Sequence, residues 1–409
     1  MKIYTVAIIG GGAAGLLCAL RLQERKVGGV VLFERNDRLG RKLSATGNGQ
    51  GNISNLALSE ENYFSSDAAA AFALIRRFGR DELLRYLTSL GGLFSADERG
   101  RVYPESRQAS SVTDLLRFSL RRGNTEIRLG EYVSEVRKTG ELFTICTEKG
   151  TYVTEKVVLA CGGMAAPHFG SDGNGYTIAK KFGHTVTPLQ PSLVQLLTER
   201  GAIKGLKGVR VDCIVSLLRK NAADISLRGD VIFTDYGVSG DAVFRLSAFY
   251  RAGDSLSVDF LPDHSEDEIA AFLLEKAAGY PYLNAEDLFR CVVNSAVGKA
   301  LLRRCGLAAD AGAARFAHSV RSLAAAAKQF HISVEKTAGF SNAQVTKGGI
   351  PMQELDGGLM SKKQKNLYII GELADVDGEC GGYNLQWAFS SGEAAAAAIA
   401  ESLKKDHRV

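Results

Sequence analysis

The chain has 409 residues, 45% of them apolar and 23% charged, which is the composition of an ordinary globular protein with two or three domains. Its 50 basic and 45 acidic residues leave a net charge of +5 and no long basic run, so we expect no nucleic-acid partner. The cysteines are scattered without a CxxC pair and the histidines lack metal-ligand spacing, so no metal site is expected. Without a signal peptide or an apolar run of about 20 residues, the sequence predicts a cytoplasmic protein with no membrane span.

The N-terminal segment has the pattern of a βαβ unit. An apolar strand over Tyr4–Ile9 runs into Gly-Gly-Gly-Ala-Ala-Gly at residues 10–15, and a helix is predicted over Leu16–Arg25. A second apolar strand over 30–33 ends on Glu34. A G-x-G-x-x-G turn between a strand and a helix is the context in which this motif indicates dinucleotide binding.

Each glycine of this turn has a separate physical task. Gly10 permits the tight turn, Gly12 lets the backbone approach a pyrophosphate, and Gly15 lets helix and strand pack closely. The helix N-terminus presents free N–H groups and a positive dipole end to the phosphates. Glu34 stands about 20 residues further on, where an acid accepts hydrogen bonds from a ribose hydroxyl. These residues predict an adenine dinucleotide site.

The elements after this unit are helices first and then strands. Helices with a break near Gly79 are predicted over 67–91, and another over Ser110–Arg122. Predicted strands follow at 126–129, 132–137, 143–147 and 156–160. The segment Gly170–Gly175 resembles a second G-x-G-x-x-G turn but has no apolar strand before it, so we interpret it as a loop and helix cap.

The pattern changes near Pro188. Short β-like runs with turn signals continue to about residue 234, and residues 265–330 have helical periodicity. A closing strand over 366–371, a glycine-rich loop and a helix over Asn384–Leu403 then resume the first pattern. The chain is therefore predicted to be a discontinuous Rossmann-like domain with a β-plus-helical insertion.

The loop before the last helix indicates which dinucleotide binds. Gly371-Glu372 ends a strand, the acidic residues Asp375, Asp377 and Glu379 follow, and Gly381-Gly382 leads into the helix. A flavin needs an acceptor for its ribityl chain and positive potential at its pyrimidine end, which a helix N-terminus provides. A dehydrogenase that binds only NAD has no need of such a loop.

The chain resembles a bacterial FAD-dependent oxidoreductase family of the two-dinucleotide-binding-domain class, whose members include aminoacetone oxidases and a bile-acid-inducible 3-dehydro-bile acid Δ4,6-reductase. The resemblance spans essentially the whole chain, and its carriers are GGGAAG (10–15), GRKLSATGNGQGN (40–52), VVLACGG (157–163), FTDYGVSG (233–240), AQVTKGG (343–349) and GELADVDGECGGYNLQWAFSSG (371–392). The implied fold is α/β, with a Rossmann-like FAD-binding domain interrupted by a β-barrel-like segment and a helical segment. The expected boundaries are 1–190 and 341–409 for the FAD domain, 191–264 and 331–340 for the β-rich insertion, and 265–330 for the helical insertion.

The resemblance also implies a set of cofactor-binding residues. The first glycines would hold the pyrophosphate, Val133 would offer its backbone to adenine, and the residues after Gly371 would meet the ribityl chain and the pyrimidine. An alternative for Asn384 and Gln386 is helix capping and polar filling. The predicted residues are Gly10, Gly12, Ala14, Gly15, Glu34, Arg35, Arg41, Lys42, Asn48, Gly49, Asn52, Val133, Ala160, Gly162, Gly371, Glu372, Gly382, Asn384, Leu385 and Gln386.

Two motifs depart from the family pattern. Residues 49–52 read Gly-Gln-Gly-Asn instead of Gly-Arg-Cys-Asn, so any role of that arginine or cysteine is absent. Residues 233–237 read Phe-Thr-Asp-Tyr-Gly instead of Phe-Thr-His-Tyr-Gly, so a histidine-based proton shuttle cannot be assumed. The changes indicate a specialised subgroup, which favours the bile-acid type of activity.

The expected activity is NAD(P)H-driven reduction of a conjugated C=C bond in an apolar enone such as a 3-oxo-Δ4 or Δ6 bile acid, with hydride passing through flavin N5. No second strand–GxGxxG–helix unit is present, so NADH or NADPH would dock transiently. The candidate proton donors are Tyr236, Cys380 and Tyr383, with Asp235 and Lys347 as further candidates. The alternatives are an FAD oxidase of a small amine that uses O2, and a flavoprotein with a binding role only. The sequence leaves the oligomeric state open.

Overall fold

The computed structural model describes residues 2–406, without the side chains of Ala313, Ala314 and Asp406. Met1 and residues 407–409, which include His407, lie outside the described residues. The chain divides into two compact units, one of Met1–Pro191 with Ala343–Val409 and one of Ser192–Asn342. None of the helices within 2–406 combines the length and the apolar character that crossing a lipid bilayer requires.

The strands are numbered in chain order. The first ten are β1 (Ile3–Ile9), β2 (Val30–Glu34), β3 (Ser54–Asn55), β4 (Tyr63–Ser65), β5 (Phe94–Ala96), β6 (Arg101–Pro104), β7 (Glu126–Leu129), β8 (Val133–Thr139), β9 (Leu142–Thr147) and β10 (Gly150–Leu159). The next ten are β11 (Gln190–Ser192), β12 (Leu196–Thr198), β13 (Arg210–Leu218), β14 (Ile225–Phe233), β15 (Gly237–Ser239), β16 (Ser255–Asp259), β17 (Phe330–Thr337), β18 (Val345–Lys347), β19 (Leu367–Ile369) and β20 (Val376–Gly378).

The helices are numbered in the same way. Those before the second unit are α1 (Ala13–Glu24), α2 (Ala68–Arg77), α3 (Arg80–Ser89), α4 (Ala109–Arg121) and α5 (Asn174–Lys181). The others are α6 (Asp241–Ser247), α7 (Glu266–Gly279), α8 (Ala285–Leu288), α9 (Ser295–Arg304), α10 (Ala313–Ala317), α11 (Val320–Lys328) and α12 (Tyr383–Asp406).

The first unit is built on a sheet in the order β7-β2-β1-β10, with β19 paired to the last part of β10. These strands are parallel, and most of their apolar residues are buried, as is usual for a parallel sheet covered on both faces. The first part of β10 instead pairs antiparallel with β9, which pairs with β8. The parallel order corresponds to the Rossmann order 3-2-1-4-5.

The last helix returns the chain to its beginning. Helix α12 packs against α1, and a Cβ added at Gly392 of α12 would lie 2.6 Å from the carbonyl oxygen of Ala14. The glycine therefore allows the two helices to approach closely. Trp387 is 1% exposed, and its indole N–H donates to the carbonyl oxygen of Gly371 at 2.9 Å, which ties α12 to the end of the parallel sheet.

The second unit contains a closed barrel in the strand order β12-β15-β14-β13-β16-β17. Its interior holds a second apolar core, in which the Phe260 ring lies 5.4 Å from Phe330 and 6.3 Å from Phe233, between ring centroids. Helices α7 to α11 bury apolar residues in the same core. The barrel-like and helical segments expected from the sequence are confirmed as elements of the fold.

Two features of the fold differ from the sequence prediction. Helix α6 forms inside the segment 191–264 that was expected to be β-rich. Short strands β3, β6 and β5 form a small sheet within a region where only helices were predicted, and β4 pairs with β20. Strands of two to four residues leave too little alternation for a periodicity argument to detect.

Candidate functional site

The parallel sheet has its topological switch point between β1 and β10. Strand β1 leads through α1 to β2 on one side, whereas β19 lies on the other side of β10. In open α/β sheets the ligand crevice lies beyond the carboxyl ends of the strands at this point. Here those ends are Ile9 with Gly10 on β1 and Leu159 with Ala160 on β10.

The glycine turn fits a dinucleotide pyrophosphate. Gly10 has a φ of +109°, and a Cβ there would lie 2.3 Å from the carbonyl oxygen of Ala160. A Cβ on Gly15 would lie 2.0 Å from the Gly10 carbonyl oxygen. At Gly12, which caps α1, a Cβ would meet nothing within 4 Å, so the space before this helix N-terminus is open. The first and third glycines therefore serve packing, and the second leaves room for a phosphate at the positive end of the helix.

Glu34 lies beside this turn. Its carboxylate is 8% exposed and accepts hydrogen bonds from the Gly11 N–H at 2.9 Å and from the Asn36 N–H at 2.8 Å. The Asn36 side-chain amide donates to the same carboxylate at 2.7 Å. Since each carboxylate oxygen can accept more than one hydrogen bond, Glu34 retains capacity for a ribose hydroxyl.

The structure brings together two predicted residues from opposite ends of the chain. The Lys42 ammonium lies 2.8 Å from a carboxylate oxygen of Glu372, and both side chains are about one-fifth exposed, at 24% and 20%. The other oxygen of Glu372 accepts the Thr346 N–H at 2.8 Å. Gly371, just before it, has a φ of +67° and donates its N–H to the Ser391 hydroxyl at 2.9 Å. This pair joins the segment after β2 to the segment after β19.

Predicted residues on the other side of the crevice contact the loop before α5. The carbonyl oxygen of the buried Val133 accepts a hydrogen bond from the side-chain amide of Asn174 at 2.8 Å. Arg35 forms an ion pair with Asp172, and its guanidinium lies 4.6 Å from the ring centroid of Tyr132. Gly162 has a φ of +73°. Residues 170–173 form a loop that ends at Gly173, the N-cap of α5, so the loop and helix cap predicted for the segment 170–175 are present.

The glycine- and asparagine-rich loop is divided between surface and interior. Asn48 and Gly49 are exposed with positive φ values of 54° and 83°. Asn52 is buried, and its amide donates to the carbonyl oxygens of Ser54 at 2.9 Å and Val102 at 3.1 Å. Arg41, before the loop, donates to the side-chain oxygen of Asn36 at 2.9 Å.

The predicted residues at the start of α12 bind the protein itself. The Asn384 side chain accepts the Gly378 N–H and donates to the Gly378 carbonyl, both at 2.8 Å. Gln386 has no exposed surface; it accepts the Ser54 hydroxyl at 2.6 Å and donates to the Phe78 carbonyl at 3.0 Å. Gln386 therefore has the filling role of the alternative interpretation, whereas Asn384 binds Gly378 at the end of β20. Leu385 is half-buried, and Gly382 has a φ of +99° with no room for a Cβ.

The three candidate proton donors have different environments. Tyr236 belongs to the second unit, is 39% exposed and donates its hydroxyl to the Gln195 side chain at 3.2 Å. Cys380 is half-buried in the loop before α12. Tyr383 is buried, with its ring 5.9 Å from that of Tyr63 in an edge-to-face contact. Asp235, a further candidate, forms an exposed ion pair with Lys207 at 2.9 Å.

A cavity of about 350 Å³ opens in the first unit, within the size range of small-molecule sites. Residues from β4, β18 and β20 and the segments next to them line it, together with the first residue of β11 and residues just before it. They are Phe64, Ser65, Ser66, Thr187, Pro188, Gln190, Lys347, Gly348, Asp375 and Asp377. Of the sequence candidates, Lys347 is among them.

Asp377 lines the cavity but was not among the candidate proton donors predicted from the sequence. It is 1% exposed, and its Oδ2 atom has no hydrogen-bond partner. Burial raises the pKa of Asp377 to about 7; Lys347 opposes the shift, while Asp375 and Glu372 add to it. Burial also raises the pKa of Asp375. The sequence signal for this pair was the two-residue spacing of Asp375 and Asp377, which places both side chains on one face of an extended apolar segment.

The chain is similar to known proteins over nearly its whole length. A family model described as the HI0933-like protein Rossmann domain matches residues 4–398. A 3-dehydro-bile acid delta(4,6)-reductase from Clostridium scindens is 34% identical, over 97% of this chain and 99% of that protein. A ribosomal RNA dihydrouridine synthase from Escherichia coli is 28% identical, over 97% of this chain and 98% of that protein.

A solved structure has a similar fold along nearly its whole length. The structure of a 3-ketosteroid-delta4-(5alpha)-dehydrogenase from Rhodococcus jostii in complex with 4-androstene-3,17-dione matches 98% of this chain and 98% of that chain, with a TM-score of 0.50 and 15% identity. This likeness concerns the fold. The family model and the reductase at 34% identity show that the chain belongs to the HI0933-like Rossmann-domain family of FAD-dependent oxidoreductases, as its sequence motifs predicted.

Proposed function

We propose that this flavoprotein reduces a C=C bond conjugated to a carbonyl in an apolar enone, such as a 3-oxo-Δ4 or Δ6 bile acid, with NADH or NADPH as the hydride donor. The observation that carries the proposal is the 34% identity to a 3-dehydro-bile acid delta(4,6)-reductase along essentially the full length of both proteins. The name of that relative describes the reduction of a carbon–carbon double bond in a steroid ketone.

The second relative supports the same class of chemistry. Dihydrouridine differs from uridine by two hydrogens across a ring double bond that is conjugated to a carbonyl. The dihydrouridine synthase of Escherichia coli therefore shares with the reductase the reduction of a conjugated double bond, although its substrate is RNA. The two relatives share a substrate double bond that is conjugated to a carbonyl, and the choice of a steroid is the more specific part of the proposal.

The residues that would hold FAD are those at the switch point. The open space at Gly12 and the N-terminus of α1 suit the pyrophosphate, and Glu34 suits the adenosine ribose. The Lys42–Glu372 pair suits the ribityl chain, which joins the pyrophosphate to the flavin ring. When bound, FAD supplies a two-electron carrier between the nicotinamide donor and the substrate.

The cavity residues are suited to the substrate. Phe64 and Pro188 provide apolar wall, and Lys347, Asp375 and Asp377 provide charge and protons at one side. Such a combination of apolar lining with a few polar groups orients a ligand that has one carbonyl end.

Anaerobic stopped-flow absorbance of the purified, FAD-bound protein tests the proposal. We expect NADH or NADPH to bleach the flavin band rapidly, and an enone to restore it when mixed with the reduced protein. The enone panel contains cyclohex-2-enone and 4-androstene-3,17-dione, and the saturated ketones serve as controls. Bleaching by an aminoketone alone, with reoxidation by O2, would overturn the proposal in favour of amine oxidation.

A second candidate function is dihydrouridine synthesis in ribosomal RNA, which the 28% and 27% identities to two such synthases favour. Digested RNA from cells with and without the gene, analysed for dihydrouridine by mass spectrometry, distinguishes it. Loss of one dihydrouridine in the deletion strain and its return with the wild-type gene would establish RNA as the substrate. Unchanged RNA, with enone turnover in vitro, would support the steroid-type substrate.

A further inference from the structure

Asp377 is a buried acid with one carboxyl oxygen that is not hydrogen-bonded within the protein. It lies in the middle of β20, opposite Phe64 of β4, and it lines the 350 Å³ cavity. Its Oδ2 atom is buried and has no hydrogen-bond partner. A buried carboxylate without partners is costly, whereas a protonated carboxyl is neutral and can donate a hydrogen bond to a ligand.

Burial favours the protonated form of Asp377, and the charges around it oppose one another. Lys347, on β18, faces both Asp375 and Asp377 across the cavity lining, and one ammonium cannot neutralise two carboxylates. Glu372, in the turn before β20, adds a third negative charge, although Lys42 lies 2.8 Å from it. The groups on the other packed elements are phenols, Tyr63 on β4 and Tyr383 on α12. Of the two cavity carboxyls, Asp377 is the more deeply buried, at 1% exposure against 8% for Asp375.

We propose that Asp377 is the catalytic acid of this site and donates its proton to the α-carbon of the conjugated substrate. The inference rests on the proposed function and adds to it the residue that supplies the proton. The Asp377 carboxyl would be protonated and neutral before the reaction. Its buried surroundings would stabilise the ionised carboxylate less than water does. A donor of this kind is suited to a reaction in which negative charge develops on the carbonyl end of the substrate.

The atoms and electrons of the step balance. NADH or NADPH would supply the hydride that is added to the β-carbon of the C=C bond and would become NAD(P)+, and FAD held at the switch point would serve as the two-electron carrier. The O–H bond of Asp377 breaks, and a C–H bond forms at the α-carbon. Water then returns a proton to the carboxylate, so the net reaction consumes one NAD(P)H and one proton for each double bond.

The test combines two readouts on the FAD-bound wild type and the Asp377→Asn variant. The first is infrared difference spectroscopy between pH 6 and pH 9, without substrate. We expect a carboxylic-acid C=O band in the wild type that is lost at pH 9 and is missing from the Asp377→Asn spectrum. The Asp375→Asn variant assigns the band, because it retains the signal if Asp377 carries the proton.

The second readout separates the two half-reactions by stopped flow. We expect Asp377→Asn to be reduced by NAD(P)H at the wild-type rate and reoxidised by the active enone about 10²- to 10⁴-fold more slowly, the contribution typical of a general acid. The matched control is Glu379→Gln, which removes a neighbouring carboxyl outside the cavity lining. When the wild-type reaction is run in D2O, deuterium at the α-carbon of the product shows that the second hydrogen comes from a solvent-exchangeable group.

The possible results separate the inference from the proposed function. If Asp377→Asn is reoxidised by the enone as fast as the wild type, Asp377 is not the acid, while the reductase function stands. If the infrared band persists in Asp377→Asn, the protonated group is another residue and the inference is overturned. If no enone or uridine reoxidises the wild type, the proposed function fails, and the infrared result still decides whether Asp377 holds the proton.

Discussion

The raised pKa of Asp377 makes the stability of the first unit depend on pH in a direction opposite to that of an ordinary carboxylate. In the unfolded chain this carboxyl has a pKa of 3.8, and in the folded protein burial raises it to about 7. Between these values the folded state holds a proton that the unfolded state has lost. Stability therefore falls as pH rises through this interval.

The magnitude follows from the difference in pKa. A difference of about 3 pH units, at about 1.4 kcal/mol each, gives about 4 kcal/mol lost between pH 4 and pH 8 from the Asp377 group. Asn at this position has nearly the same shape and does not ionise. We expect Asp377→Asn to have nearly the wild-type free energy of unfolding at pH 4.5 and to be more stable by up to about 4 kcal/mol at pH 8.5.

Denaturant unfolding of both proteins at these two pH values measures the difference, with free FAD held at the same excess throughout because bound ligand adds to stability. The single tryptophan, Trp387, is buried on α12 and provides the fluorescence signal. Gln190→Ala, a cavity-lining change that cannot titrate, is the control and should have the same effect at both pH values. An Asp377→Asn effect that is equal at pH 4.5 and pH 8.5 would refute the reasoning.

Four other substitutions have expected outcomes. Gly15→Ala should destabilise the fold by about 1–3 kcal/mol, because its Cβ would lie 2.0 Å from a carbonyl oxygen. Gly12→Ala should leave the free energy of unfolding unchanged but weaken FAD binding, which the fluorescence of released flavin measures. The buried His184 ring lies 2.6 Å from Glu354, and burial lowers its pKa from 6.5, so the His184 contribution to stability should decrease as pH drops below 6.5, opposite in sign to the Asp377 contribution. In thermal melts, His184→Asn should therefore gain stability relative to the wild type as pH drops below 6.5. Gln386→Leu should cost about 1–3 kcal/mol by denaturant unfolding, because it leaves buried polar partners unsatisfied; no loss would contradict that role.

The parts of the fold that the sequence predicted well are those in which several local signals agree. At β1, α1 and β2 an apolar strand, a glycine turn, a periodic helix and a terminal acid all point to one unit, and the structure has strands at Ile3–Ile9 and Val30–Glu34. The break near Gly79 was predictable for the same reason, because a glycine interrupts the helical period between α2 and α3. The pairing of β4 with β20 was not, since it joins short segments far apart in the chain.

The candidate site was predictable where backbone determines the chemistry and less so where side chains do. The positions of Gly10 and Gly15 follow from backbone geometry, and the structure leaves no room for a side chain at either. Asn384 and Gln386 were chosen as flavin ligands by resemblance, yet their polar atoms bind other parts of the protein. A sequence shows that an amide is present, but it does not show which neighbours already satisfy that amide.

The choice of proton donor illustrates the same limit. Tyrosine and cysteine drew attention to Tyr236, Cys380 and Tyr383 because of their residue types, and Asp377 was noted only as one of several acids. What makes an acid able to donate near neutral pH is its environment, and here burial and two neighbouring carboxyls act together against a single lysine. That environment is assembled by β4, β18 and β20, which lie far apart in the sequence. A search for an acid in such a family should therefore start from buried carboxyls that lack partners, and only then consider residue type.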